Sequence, residues 1–431
     1  MKSLNLKCNQ ETSRMKLQLS FLATSLVQSS LLSIESYDLP KPDAHKQISM
    51  YAAKTLSRWS LDQPKPGSNS GYIVLKDEES EPESACCFGC PEETRIRNLP
   101  FPQDRILTIK YSPLKGENGS NKATVCFIPA VGHPLSSNRY YVIVAKGRKR
   151  GKVYTCSKED IACCSCHGGV KDAKLRAFVH RNVYQVMEIK DDGNGNFTAK
   201  SVAPDGHPPS LLGREHWKLY ASKPKHYALR EAWGLDAGLR ACLPDLNFPI
   251  GAADGPKITV GRWYCPFMFV KEACRLRDQM KRSMFYEISL EQFWQKVYAC
   301  ENHSGHDKVV EVNALFGSLL VMMDGGKEVV QDRTVHGDDG MVWFKPLDSR
   351  AKGIGLSLAV WERIKWEQGR GGWIADEEER MVRLEQYEGM NRWKKFACYV
   401  LVERFVVKRI DGSLVLTFDF RHSIKVRSKW D

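Results

Sequence analysis

The chain has 431 residues, with 64 Lys and Arg against 51 Asp and Glu, a formal excess of +13, and 14 cysteines. That length supports two domains and a large core without disulfides, and it excludes a small secreted disulfide scaffold, which would be shorter and denser in cysteine. The cation excess favours anionic partners through long-range fields, but cations interspersed with acids along the whole chain read as dispersed surface charge.

Residues 1–49 read as a leader or extension. Residues 1–34 carry Lys2, Lys7, Arg14 and Lys16 against Glu11 and are rich in Ser and Leu, which resembles an organellar transit peptide; a disordered extension is the plainer reading. No apolar run reaches the roughly 18 residues of a membrane helix. Residues 50–70 hold Pro64, Pro66 and Gly67 and read as a linker with a short helix near 48–59.

Strands begin at Gly71. Residues 105–111 and 123–128 predict a hairpin around the Gly/Asn/Ser loop 115–122. A second pair, 140–145 and 152–156, flanks the basic turn 146–151. A third, 183–189 and 197–202, flanks Asp191-Asp192-Gly193-Asn194-Gly195, whose Gly and Asn accept positive φ. Prolines break 204–256 often, and a helix fits 229–242. The second half predicts a strand at 257–270, helices at 276–284 and 290–300, and strands at 309–312, 318–323, 329–331 and 341–344. Residues 356–366 fit strand or helix, and 376–390 carries charges at helical spacing. The end predicts a hairpin of 396–410 and 413–420 around Asp411-Gly412, then a last strand over 423–430. The expected fold is α+β, with antiparallel hairpin-rich sheets and a few helices. It is expected in one or two packed domains: a β-rich domain over 71–252 and an α+β domain over 253–431.

Cysteine spacing is the most specific chemical signal. Cys87 and Cys90, and again Cys163 and Cys166, stand at CxxC spacing in loop-like segments. Two such knuckles supply four thiolates, enough for a tetrahedral structural zinc, with Cys156 or His167 as substitutes. The roughly 70 residues between them far exceed the spacing of compact fingers, so a shared ion would tie distant loops together; unmetallated thiols are the alternative. Lone cysteines in apolar runs, Cys126 and Cys398, read as small hydrophobes in a reducing compartment, cytosol or nucleus.

Basic runs are the second signal. Residues 146–152 hold five cations, with Arg148, Lys149, Arg150 and Lys152 as candidate phosphate contacts. A solvated hairpin turn explains them as well. The spacing fails as a phosphate loop, since Val153 stands where Ser or Thr would meet magnesium. Lys425, Arg427 and Lys429 alternate with Ile424 and Val426, either as a phosphate grip or as the wet face of an edge strand. The aromatic run Trp263-Tyr264-Cys265-Pro266-Phe267-Met268-Phe269 reads as core, or as the lining of a small-molecule pocket. His207 and His336 sit in turn-like segments with Asp and Gly. No GxSxG, HExxH, Walker A or complete GxGxxG motif occurs, which lowers the expectation of an enzyme.

Several pieces stand together in order: Asn69-Ser70-Gly71-Tyr72-Ile73-Val74, Asn98-Leu99-Pro100-Phe101-Pro102-Gln103, Pro134-Leu135-Ser136-Ser137-Asn138-Arg139-Tyr140-Tyr141, Gly261-Arg262-Trp263-Tyr264-Cys265-Pro266-Phe267 and Asp278-Gln279-Met280-Lys281-Arg282-Ser283-Met284-Phe285-Tyr286. The chain from about residue 50 to its end resembles the plant-restricted domain-of-unknown-function family numbered 1262. The resemblance implies a plant source and one family region spanning both expected domains. It brings no activity, cofactor or catalytic residue.

The sequence therefore favours a non-enzymatic binding or scaffolding protein with a protein partner, and with structural zinc as a candidate cofactor. The alternatives are an enzyme with a loop-built site, or a module binding RNA or phosphoinositide, an anionic partner, through its basic strands.

Overall fold

The structure is a computed structural model that describes residues 50–61, 73–74, 93–111, 122–158, 170–222, 229–303, 309–332, 340–346, 353–374, 381–388 and 393–431. All of them lie in one unit, Ala44–Asp431. Antiparallel sheets dominate it and helices are few.

The first sheet has seven strands: β1 Glu93–Ile96, β2 Leu107–Lys110, β3 Lys122–Pro129, β4 Arg139–Val144, β5 Val186–Asp191, β6 Phe197–Ser201 and β7 Lys218–Ser222, in spatial order β1-β7-β2-β3-β4-β5-β6. Its central strands β3 and β4 are apolar without alternation because both faces are covered. Val125, Phe127, Tyr140 and Val142 point into a cluster around Phe101 and Trp217. Cys126, Ile128, Tyr141 and Ile143 point the other way, into the main core. The expected hairpin around Gly193 forms as β5 and β6. Gly195 there has φ +67°, and a Cβ on it would stand 3.0 Å from the Arg97 backbone, so glycine is required twice over.

The second sheet has ten strands: β8 Gly234–Leu235, β9 Ile258–Pro266, β10 Val270–Lys271, β11 Phe285–Glu301, β13 Leu319–Met323, β14 Lys327–Asp332, β15 Met341–Pro346, β16 Ile354–Ser357, β18 Lys395–Arg409 and β19 Leu414–Trp430. The spatial order is β8-β9-β11-β18-β19-β13-β14-β15-β16-β10. β9 lies next to one edge and β10 forms the other, yet only Phe267, Met268 and Phe269 join them. Three residues span about 10 Å, so the sheet must curl back on itself. Helix α3, Leu358–Arg370, follows β16 directly and sets Trp361 against Phe344 and Phe418. Two shorter helices, α1 Ala237–Cys242 and α2 Leu276–Arg282, complete this half.

β11, β18 and β19 run 17, 15 and 17 residues, about 50–56 Å at the usual rise. A two-stranded sheet of β12 Val309–Phe316 and β17 Met381–Glu388 packs Val310, Val312 and Ala314 against Phe396 and Cys398 at the end of these long strands. Phe248 and the loop around it cover Trp294, Ala397 and Tyr399.

Three expectations from the sequence need correction, and one left open divides between its two readings. Residues 290–300 are strand, not helix: their good helix formers are overridden because Phe293 and Trp294 each pack in a separate cluster and β11 pairs along the length of β18. Residues 381–388, read at helical spacing, pair as a strand with β12. Only 237–242 of the expected 229–242 helix forms, because Gly234 adopts φ +83° and pairs with β9; Asp236 then caps the helix through Leu239 N–H at 2.9 Å. Residues 356–366 divide, with strand to Ser357 and helix from Leu358.

Candidate functional site

Two charged constellations stand out, one buried and one exposed. The buried one gathers side chains from five elements. Arg240 of α1 donates from Nε to Glu403 Oε1 at 2.8 Å, and from Nη2 both to Glu403 Oε2 and to the Glu367 carbonyl oxygen at 3.0 Å. Gln292 of β11 donates to Glu403 Oε1 at 2.7 Å. Arg363 donates to Glu367 Oε1 at 2.6 Å along α3. His422 Nε2 of β19 lies 3.5 Å from Glu403 Oε2, and Lys425 donates to the Gly371 carbonyl oxygen at 2.8 Å. Two cations thus sit on carbonyls at the C-terminal end of α3, where the helix dipole favours positive charge.

Glu367, Gln368, Glu403 and His422 are all buried. Burial pushes the Glu403 carboxyl up, but the hydrogen bonds from Arg240, with the nearby His422 ring, more than reverse it and hold it well below the usual carboxylate range. Burial lowers the Lys425 ammonium, opposed by Glu403. Arg240 thus ties α1 to α3 and to β18, while Glu367 Oε2, both amide atoms of Gln368 and both ring nitrogens of His422 are buried without a hydrogen-bond partner among the described residues. A separate set, at the C-terminal end of β18, ties the connection between β10 and α2 to the long strands: Glu272 accepts from Arg409 at 2.9 and 3.0 Å and from Tyr286 Oη at 2.5 Å.

The exposed constellation surrounds the 146–152 turn. Lys146, Arg148, Lys149 and Lys152 are exposed, while Arg150 folds back to donate to the Ala145 carbonyl oxygen at 2.7 Å. The turn is held by Gly151, whose φ is +85°; a Cβ there would stand 3.0 Å from Leu276 at the start of α2. That contact places the start of α2, with its exposed Arg275 and Arg277, beside the turn. On the other side Val153 bridges Arg176, and Ser157 Oγ donates to the Lys171 carbonyl oxygen, so 171–176 runs antiparallel to 153–157. Lys171, Lys174 and Arg176 are exposed there. The acids on these segments are engaged: Asp172 accepts from Ser210 at 2.7 Å and Asp278 lies 3.2 Å from Arg277. The side chains of Lys146, Arg148, Lys149, Lys152, Lys174 and Arg176 have no ion-pair partner among the described residues. Sequence reading singled out the turn and missed 171–176 and 275–277. Their cations were visible, but the pairing that brings them together is long-range.

The remaining candidates are placed as follows. Cys87, Cys90, Cys163, Cys166 and His167 lie outside the described residues, as does His336. Cys156 is buried beside the first sheet, and burial pushes its thiol up. Among the described residues no three His, Cys, Asp or Glu side chains are grouped to hold a metal ion. Lys425 and Lys429 both cap loop carbonyls, Lys429 at 3.1 Å from the Leu246 oxygen and also on Phe248, while Arg427 lies over the Trp294 ring at 5.4 Å. Trp263, Tyr264, Phe267 and Phe269 are buried in the main core. His207 pairs with Ser157 in a two-residue bridge of strands.

Residues 66–167 match the family model described as "Protein of unknown function (DUF1262)", so the resemblance read from the sequence holds over that segment, which contains both CxxC pairs. No curated protein matches the chain. Among solved structures the crystal structure of Cry35Ab1 is similar with a TM-score of 0.45 and 11% identity, over 77% of this chain and 90% of that one. No helix among the described residues is long and apolar enough to cross a membrane.

Proposed function

We propose that the chain is a non-enzymatic binding protein that takes an anionic partner on the face around the 146–152 turn. The observation carrying this reading is the division of its charges. The buried Arg240 and the partly buried Arg409 are each paired with a buried glutamate, whereas Lys146, Arg148, Lys149, Lys152, Lys174 and Arg176 come together exposed and without ion-pair partners among the described residues. Such a cluster raises the local concentration of anions and speeds their encounter. A zinc ion on Cys87, Cys90, Cys163 and Cys166 fits the same reading as a structural tie between loops; elemental analysis of the purified chain tests it.

The test is retention on an immobilised polyanion such as heparin. The full chain is expected to bind at low ionic strength and to elute with salt, and Lys146→Glu/Lys149→Glu is expected to elute earlier than Lys327→Glu, an exposed cation on β14. Passage of the unaltered chain through the column at low salt would overturn the reading.

A further inference from the structure

We infer that the anionic partner is a phospholipid surface. This rests on the binding reading above and names the source of the anion. The segment that flanks the turn interleaves cations with aliphatic side chains. Val170 and Val179 are 39% and 43% exposed, and Lys171, Lys174, Arg176 and Arg181 stand exposed between and beside them. Val183, two residues on, is 41% exposed. Phe178 anchors the same segment by turning inward onto Tyr141 and Phe269, with ring centroids at 4.9 and 5.1 Å. A cationic face with outward aliphatics matches the headgroup–acyl boundary, where electrostatic attraction and shallow apolar burial act together.

Nucleic acid fits the same charge less well. Single strands are gripped by aromatic platforms that stack bases. The large hydrophobic side chains exposed on this segment are valines, and Trp233, an exposed aromatic ring, is covered by Arg262 at 4.9 Å beside β8. The seven described cysteines are free thiols, which suits a reducing interior. The membrane leaflet facing that interior carries the anionic lipids.

Vesicle co-sedimentation of the full chain decides the matter. The chain is expected to pellet with vesicles of phosphatidylcholine mixed with phosphatidylserine, not with phosphatidylcholine alone, and to be released in large part, though not wholly, by salt. Lys146→Glu/Lys149→Glu is expected to lower the partition by at least about twenty-five-fold, at about fivefold per surface cation removed, whereas Lys327→Glu leaves it unchanged. Val179→Ser is expected to lower the salt-resistant fraction. Equal pelleting of the double variant and the unaltered chain would overturn the inference. So would binding to a single-stranded RNA or duplex DNA oligonucleotide without binding to the vesicles, an outcome that leaves the anionic-partner reading standing. Failure with vesicles, oligonucleotides and heparin alike would overturn both.

Discussion

The Arg240 guanidinium and the Glu403 carboxylate meet in a two-bond pair across 163 residues of sequence, joining a short helix to the middle of a long central strand. Removing one partner leaves the other as an uncompensated buried charge. Arg240→Leu is expected to destabilise the fold by about 3–5 kcal/mol, while Arg240→Leu/Glu403→Leu recovers most of that loss. Urea titration of the two variants checks this, and equal stability of the single and double variants would contradict it.

The same pair sets an acid limit. Glu403 has a folded pKa below its unfolded value, so the stability it contributes is fully present above the unfolded pKa, about 4.3, and is lost as pH falls through the depressed folded value. Stability measured downward from neutral pH is therefore expected to hold to about pH 5 and then fall. Arg240→Leu/Glu403→Leu is expected to fall less steeply over that acid range, because the carboxylate responsible is gone.

Gly371 and Gly369 differ in what lies above them. A Cβ on Gly371 would stand 2.1 Å from Arg240 Nη2 and 3.1 Å from Glu403 Oε2, while nothing lies within 4 Å of the corresponding position on Gly369. Gly371 has an ordinary right-handed backbone at φ −75°, so the cost of Gly371→Ala comes from displaced contacts. That substitution is expected to destabilise by about 1–3 kcal/mol. Gly369→Ala is expected to stabilise by about 0.5–1 kcal/mol by reducing unfolded-state freedom in an exposed helical turn. Thermal melts of the two variants should move in opposite directions.

The sequence declared its local structure where turn chemistry and strand pattern agreed. Asp411-Gly412 closes β18 on β19, with Gly412 at φ +86°, and the hairpin forms as expected, although the separate last strand expected over 423–430 is the continuation of β19. It misled where propensity and tertiary pairing disagreed, as in β11, whose Leu, Glu, Gln and Lys favour helix until β18 supplies hydrogen bonds along its length. The basic face was half visible for a similar reason. The 146–152 turn is local, but Gly151 meeting Leu276 and Val153 meeting Arg176 are contacts between distant segments. The buried network was hidden altogether, since nothing near Glu403 in sequence marks it as the partner of Arg240.

Thiol reactivity should sort by burial. Cys242 and Cys274 are exposed, whereas Cys126, Cys265 and Cys398 are buried. Burial pushes the Cys265 thiol far up, and the Cys274 thiol is raised more modestly by partial burial and the Glu272 charge. The thiolate is the nucleophile. Brief maleimide treatment of the folded protein near neutral pH is expected to label Cys242 and then Cys274. Cys126, Cys265 and Cys398 are expected to react only in denaturant. Peptide mapping by mass spectrometry checks each site, and rapid native labelling of Cys265 would contradict the packing of β9 in the core.

Lys429 tests what the basic stripe on β19 does. Its ammonium donates to the Leu246 and Phe248 carbonyl oxygens and lies 5.5 Å from the centre of the Phe248 ring. Phe248 in turn packs edge-on against Tyr399 at 5.3 Å, and Tyr399 Oη donates to the Ile250 carbonyl oxygen at 3.2 Å. The loop is thus held to the long strands by one half-buried cation and two aromatic rings. Lys429→Met keeps the aliphatic stem and removes the charge-assisted bonds, a loss of about 1 kcal/mol at a partly exposed site. Hydrogen exchange should then quicken at Phe248, Ala252 and Gly255, whose amides close the loop on itself and on Trp294, while protection in the middle of β18 stays unchanged. Uniform loss of protection across β18 and β19 would instead make Lys429 a contributor to global stability rather than a local fastener of this loop.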